Sequence, residues 1–208
     1  MRFWSRKPTI GTLTPSQIRQ LVSEKYSEVA QEPSHRYPFR VGKAYAQDVG
    51  YSSTMMENLP VSMTETFTGV SATVVDEAAI REGEVILELG SGAGLDTSLL
   101  TRKVGIKGKV IGIDLASAMV RKARENLHRL GLTNVAISQA MAEALPLKAN
   151  SIDCVVSNGI FNLSPEKATI FEEIHRVLKP GGRLICAEIV LRRNPTDEER
   201  QNADDWFT

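Results

Sequence analysis

The apolar positions of this chain fall into two regimes. Over residues 85–189, short apolar runs alternate with longer stretches in which apolar residues recur every three to four positions. The runs at 85–89, 109–114, 135–139, 152–157 and 183–189 read as strands, and 96–104, 116–130 and 167–178 read as helices. Each strand run is mostly apolar rather than alternating, as expected of parallel strands covered on both faces. This order predicts a doubly wound α/β fold with a mainly parallel sheet and right-handed crossovers.

The N-terminal third behaves differently. Residues 15–30 predict a helix, with Thr14 as N-cap, Pro15 in the first turn, and Ile18, Leu21, Val22, Tyr26 and Val29 at helical spacing. That helix either packs on the main domain or covers a substrate. From 32 to 69, Pro33, Pro38, Gly42, Gly50, Pro60 and Gly69 interrupt any period, so a long irregular segment with short helices is expected. Its interspersed Tyr37, Phe39, Tyr45, Tyr51, Met55, Met56, Met63 and Phe67 suit either a binding loop or plain packing. A short helix is expected over 70–79. The chain thus divides into an N-terminal helical and irregular cover over 1–79, with a loose leader over 1–14, and a core over 80–208, within one structural domain. Residues 196–206 read as a charged helix-like tail. The Trp206-Phe207 pair should pack against something, and the stop after Thr208 reads as a C-terminal shortening.

Composition narrows the class. A chain of 208 residues with 42% apolar and 24% charged residues is an ordinary globular domain. Twenty-five basic residues balance twenty-five acidic ones, which argues against a nucleic-acid partner. The N-terminus lacks the apolar run of a signal peptide, and no stretch approaches the roughly 20 apolar residues of a membrane span. Cys154 and Cys186 lie in apolar runs and read as buried small hydrophobes in a reducing cytoplasm. With His35, His128 and His175 scattered, there is no metal-ligand spacing.

The chemistry concentrates at residues 85–94, where an apolar run carrying Glu88 leads into Gly90-Ser91-Gly92-Ala93-Gly94 and then a helix. Side-chain-free positions let a ligand approach the backbone, and the unpaired N–H groups of the helix start are electropositive. A nicotinamide-dinucleotide fingerprint requires glycine at the first, third and sixth positions of the turn; here they fall at the first, third and fifth. No Gly-Lys-Ser or Gly-Lys-Thr follows, so a P-loop is excluded too. Asp114 ends the second strand run, 20 positions after Gly94. It is placed to accept hydrogen bonds from the two hydroxyls of a ribose, or else to cap the following helix.

Four segments now carry a resemblance. Residues 88–94, 112–119, 142–146 (Ala-Glu-Ala-Leu-Pro) and 176–184 (Arg-Val-Leu-Lys-Pro-Gly-Gly-Arg-Leu) resemble the successive motifs of class I S-adenosylmethionine-dependent methyltransferases. The resemblance implies a Rossmann-like sheet and S-adenosylmethionine as cofactor. It assigns the methionine moiety to Glu88 and to the backbone of Gly90, Ser91, Gly92 and Gly94, and the ribose to Asp114. It places Leu115 against adenine, with Ala142 offering its N–H to the ring edge, and counts Met119 and Glu143 among the cofactor-binding residues. Met141 stands where many relatives have an acid for the adenine amino group. Asn158 falls near the transferring methyl group, with a turn-capping role as the alternative. Residues 179–182 read as a helix stop.

Within the class, residues 103–114 and 157–167 look most like arsenite methyltransferases, which trap arsenic with cysteine thiolates. One such cysteine would fall at Gly159, and residues 57–71 contain none, so the arsenic chemistry is not carried over. The expectation is a cytoplasmic enzyme transferring methyl to a small molecule by direct displacement. A noncatalytic binding or regulatory protein is the alternative, as is an arsenite methyltransferase relative that lost its cysteines. His35, Tyr45, Tyr51 and Glu65 are candidate bases by location alone, with no catalytic residue assigned, and His175 reads as structural. The family places a further hairpin after the fifth strand; a bare edge there predicts either a homodimer or aggregation.

Overall fold

The computed structural model describes residues 13–191 together with 193, 196, 206 and 207. Nearly all of the expected leader and tail helix lies outside those residues. The core elements are β1 (Val85–Leu89), α5 (Leu95–Val104), β2 (Lys109–Asp114), α6 (Ser117–Arg129), β3 (Val135–Gln139), β4 (Ile152–Asn158), α7 (Lys167–Val177) and β5 (Leu178–Ala187). They are preceded by α1 (Pro15–Gln31), α2 (Lys43–Asp48), α3 (Val61–Glu65) and α4 (Thr73–Glu77). All strands pair in parallel in the order β3-β2-β1-β4-β5. The chain therefore winds outward from β1 to β3, returns, and winds the other way through β4 and β5. The reversal leaves a crevice beyond the carboxyl ends of β1 and β4, where Gly90 follows Leu89 and Asn158 ends its strand.

Apolar strands bury both faces. Ile86, Val110, Cys154 and Val156 pack against α5 and α6 through Leu100, Val104, Ala123 and Leu127. On the opposite face Leu87, Leu89, Ile113 and Val155 meet Ile170, Ile174 and Val177 of α7. The α1 helix starts as its residues dictate. Thr14 and Gln17 form a reciprocal capping box, and Pro15 occupies the first turn, where its missing N–H costs nothing. Val29 and Ala30 of α1 then pack on Ala116, Ala118 and Met119 at the start of α6.

Three expectations need correction. The short helix covers Thr73–Glu77 rather than 70–79, because the N–H groups of Val70 and Ser71 are taken by the Asn158 side chain, while Ser71 Oγ accepts the Thr73 N–H. The fifth strand starts at Leu178 rather than 183, and the helix stop expected at 179–182 is a bulge inside it: Ile152 pairs with Leu178 and Cys154 with Arg183, so four residues stand opposite Asp153 alone. Pro180 cannot donate to the ladder and biases Lys179 toward extended backbone, which ends α7 at Val177. Finally, Cys154 is buried but Cys186 is exposed, since β5 is an edge strand among the described residues.

Candidate functional site

The glycine turn is locked to the end of β2. The N–H groups of Gly90 and Ser91 both donate to the Ile113 carbonyl at 2.9 Å, and the Gly92 N–H donates to Asp114 Oδ2 at 2.9 Å. Gly90, Gly92 and Gly94 have φ of 74°, 50° and 92°, a region that side chains disfavour. At Gly90 glycine is doubly required, because a Cβ there would lie 2.2 Å from Ile160 Cγ2. At Gly92 a Cβ would meet no protein atom within 4 Å; it would point into open space.

Gly92 lines two adjoining cavities. The larger spans about 830 Å³, the open solvent at its mouth included. It is lined by Gly90, Gly92, Asp114, Leu115, Met119, Ala142, Glu143 and Asn158, which come from the ends of four successive core segments. The smaller, about 380 Å³, adds Glu88 and Ser91 and shares Gly90, Gly92 and Asn158. Gly94 borders neither: it is the N-cap of α5 and lies against Leu127 of α6. Ser91 Oγ is buried with no hydrogen-bond partner among the described residues.

The electrostatics of this region are acidic. Asp114 accepts the N–H groups of Gly92 and Ala116, at 2.9 and 2.8 Å; the second bond closes a turn ahead of α6, whose N-cap is Ala116 with no side-chain cap, so Asp114 is not the helix cap. Burial raises its carboxyl nonetheless. The N–H groups of Ala116, Gly92 and Leu115 act against that rise, and three donors leave part of the carboxylate's acceptor capacity free. Glu88 accepts a hydrogen bond from Thr97 Oγ1, and burial together with the nearby Asp96 charge holds it well above the ordinary carboxylate range. Asp96 is likewise raised by burial, against the stabilising donation of Tyr51 and Asn158. Glu143 accepts from Ser164 Oγ at 2.7 Å, with Arg19 Nη1 3.7 Å away.

Part of the site came from segments that the local pattern did not tie to it. Arg19, Val22, Ser23 and Tyr26 of α1 wall the larger cavity, and Ser23 Oγ donates to the Leu115 carbonyl at 3.4 Å. The Tyr26 ring stacks on Phe39 at 5.6 Å, and burial and the Asp114 charge raise its hydroxyl. Asp96 was also missed, although a carboxylate in the first turn of an otherwise buried helix is a visible signal. Glu188 accepts the N–H groups of Ile160 and Phe161 at 2.9 and 3.0 Å and so fixes the loop after β4. None of His35, Tyr45, Tyr51 and Glu65 lines either cavity, nor does His175. His35 pairs with Glu28 and Glu32 at the surface, Tyr45 lies beneath Arg40, and Tyr51 is buried beside Asp96. The Trp206-Phe207 pair does pack: Trp206 Nε1 donates to the Leu163 carbonyl at 3.2 Å, and Phe207 is buried with Ile18, Val22 and Leu163.

Comparison with known proteins gives a family match over the core. Residues 80–208 match the family model described as a methyltransferase domain. Among curated proteins, an arsenite methyltransferase of Halobacterium salinarum is 39% identical over 127 residues, covering 61% of this chain and 32% of that protein. The ubiquinone/menaquinone biosynthesis C-methyltransferase UbiE of Escherichia fergusonii is 40% identical over 116 residues, covering 55% of this chain and 46% of that protein. The chain thus spans less than half the length of these relatives. Among solved structures, a SAM dependent methyltransferase from Aquifex aeolicus aligns with a TM-score of 0.53 at 25% identity, over 90% of this chain and 81% of that one. CrArsM, an arsenic (III) S-adenosylmethionine methyltransferase from Chlamydomonas reinhardtii, aligns at 0.55 with 28% identity, over 75% of this chain and 51% of that one.

Proposed function

Because this chain belongs to the methyltransferase domain family, we propose that it transfers a methyl group from S-adenosylmethionine to a small-molecule acceptor by direct displacement, with α1 and the segment up to residue 79 serving as its cover. The observation that carries the reading is the junction of the glycine turn with Asp114 at the switch point of the sheet.

The residues present fit such a cofactor. Gly92 leaves open space where a side chain would stand, and Asp114 keeps acceptor capacity for ribose hydroxyls. The groups acting on Glu88 are burial, two further acids and one hydroxyl; none is basic. A pair of buried carboxylates is costly by itself and is relieved by a cationic ligand. S-adenosylmethionine bears an ammonium and a sulfonium, and it supplies a methyl carbon already joined to a good leaving group. In this reading Leu115 and Met119 offer apolar surface for the adenine and Ala142 and Glu143 border its edge, with Arg19, which bonds Glu166, 3.7 Å from Glu143. The protein's task is then to hold an acceptor atom in line at about 3 Å, excluding water.

The cleft lining bears on one acceptor class. Trapping arsenic needs soft thiolate donors. Cys154 is buried in β4 with its thiol raised to about 11, Cys186 is exposed on β5, and neither borders the cavities. A carbon, nitrogen or oxygen acceptor is therefore the better reading, within a cytoplasmic protein that binds no nucleic acid. No helix among the described residues is long and apolar enough to cross a membrane. We further propose a homodimer through the β5 edge, beside which Ile189, Val190 and Leu191 are 44%, 77% and 70% exposed. Sedimentation that returns only monomer at micromolar concentration removes the dimer.

The deciding experiment is calorimetry with S-adenosylmethionine and its demethylated product, followed by a radiolabelled methyl-transfer screen over metabolite pools. Binding of a nicotinamide dinucleotide instead overturns the cofactor reading. Tight cofactor binding with no labelled product in any pool favours a binding protein over an enzyme.

A further inference from the structure

The Asn158 side chain is occupied on every side. Its Oδ1 accepts the N–H groups of Val70 at 2.7 Å and Ser71 at 3.1 Å. Its Nδ2 faces Asp96 Oδ2 at 2.8 Å, the Ser71 carbonyl at 3.0 Å and the Tyr51 hydroxyl at 3.0 Å. Two N–H donors on one side and a carboxylate and a carbonyl on the other permit a single amide orientation. Tyr51 Oη in turn donates to Asp96 Oδ1 at 2.5 Å, and its ring meets Phe67 edge-on at 4.7 Å. All the hydrogen-bonding capacity of the amide is thus spent inside the protein.

What this network holds is residues 67–71, a strap that runs across the point where the two cavities meet. Thr68 lines both cavities and Gly69 lines the smaller. The strap lies so close to the amide that a Cβ on Gly69 would approach Asn158 Nδ2 to 2.8 Å and the Phe67 ring to 2.7 Å. On the other side, a Cβ on Gly159 would meet Val70 Cγ2 at 2.8 Å. Glycines at both positions let strap and strand end touch.

We propose that Asn158, with Asp96 and Tyr51, is a positioning residue that fastens the 67–71 strap over the methyl-transfer end of the cleft, rather than a group that contacts the cofactor. The proposal rests on the cofactor reading above for what lies beneath the strap, but not for the strap itself. Tyr51 separates the two roles, because it lines neither cavity and its removal deletes no ligand contact.

The test uses Tyr51→Phe and Asn158→Leu in the full chain. Without any ligand, amide hydrogen exchange at Val70 and Ser71 should accelerate at least tenfold in both variants, while the β1 amides keep their protection. With S-adenosylmethionine labelled at the methyl carbon, the bound methyl resonance should move toward its free value in both. Affinity of Tyr51→Phe for the demethylated product should stay within threefold. The proposal is overturned if exchange at Val70 and Ser71 is unchanged, or if Asn158→Leu lowers affinity tenfold or more while Tyr51→Phe leaves exchange and resonance as they were. Should Asn158→Leu fail to fold, Tyr51→Phe alone decides. If the wild type binds neither cofactor form, the functional reading fails and the exchange data still decide whether the network holds the strap.

Discussion

Asp114 Oδ2 accepts the Gly92 N–H at 2.9 Å, joining the end of β2 to the glycine turn after β1. The carboxylate therefore shapes the turn as well as facing the cavity.

Replacing Asp114 by alanine should weaken binding of the demethylated cofactor by about 1–3 kcal/mol, the range for losing hydrogen bonds to a charged group. Calorimetry checks this, with a thermal melt of the free protein to separate binding from folding. Unchanged affinity removes Asp114 from the site.

The buried acids make both stability and binding depend on pH. Glu88 and Asp96 have folded-state pKa values above their unfolded ones. The folded state therefore holds protons that the unfolded chain releases, and the free protein loses stability as pH rises above about 4, the unfolded carboxylate range, toward the raised values. A cationic ligand favours the ionised forms, so its binding should release protons and strengthen with rising pH over the same window. Calorimetry in two buffers of different ionisation enthalpy measures that release. Glu88→Gln should stabilise the free protein at neutral pH and weaken binding; a variant that binds as well as wild type separates Glu88 from the ligand.

Gly90 and Gly92 should respond differently to alanine. Both lose about 1–2 kcal/mol for a left-handed backbone at a non-glycine residue. Gly90→Ala adds a clash with Ile160 and should lower stability further, as read by urea denaturation. Gly92→Ala should remain folded and lose cofactor affinity, since its methyl group enters the cavity.

If α1 is part of the cover, loosening it should speed ligand exchange. Tyr26→Ala removes the stack on Phe39, worth about 0.5–1.5 kcal/mol beyond burial. The dissociation rate of the demethylated cofactor, read by stopped-flow fluorescence, should rise severalfold. An unaltered rate makes α1 a packing element only.

The parts of this protein legible in the sequence are those set by short-range physics. Strand runs with both faces apolar, a capped α1 and a glycine turn ahead of a helix are each dictated by neighbours within a few residues, so β1 to β4 and the turn fall where the pattern places them. Gathering Asp114, Leu115, Met119, Ala142 and Glu143 around one cleft also follows, because parallel strands put the ends of successive segments on the same side. The rest was decided by tertiary structure. Tyr51 and Asp96 are 45 residues apart in sequence, and Asn158 is 88 from Val70; no local period links them. Only the sheet order, which sets β4 beside β1, brings Asn158 to Asp96 and turns a strand-end amide into the anchor of a strap. Cys186 is exposed for a related reason: burial depends on what lies beyond a strand, and β5 has no strand beyond it among the described residues.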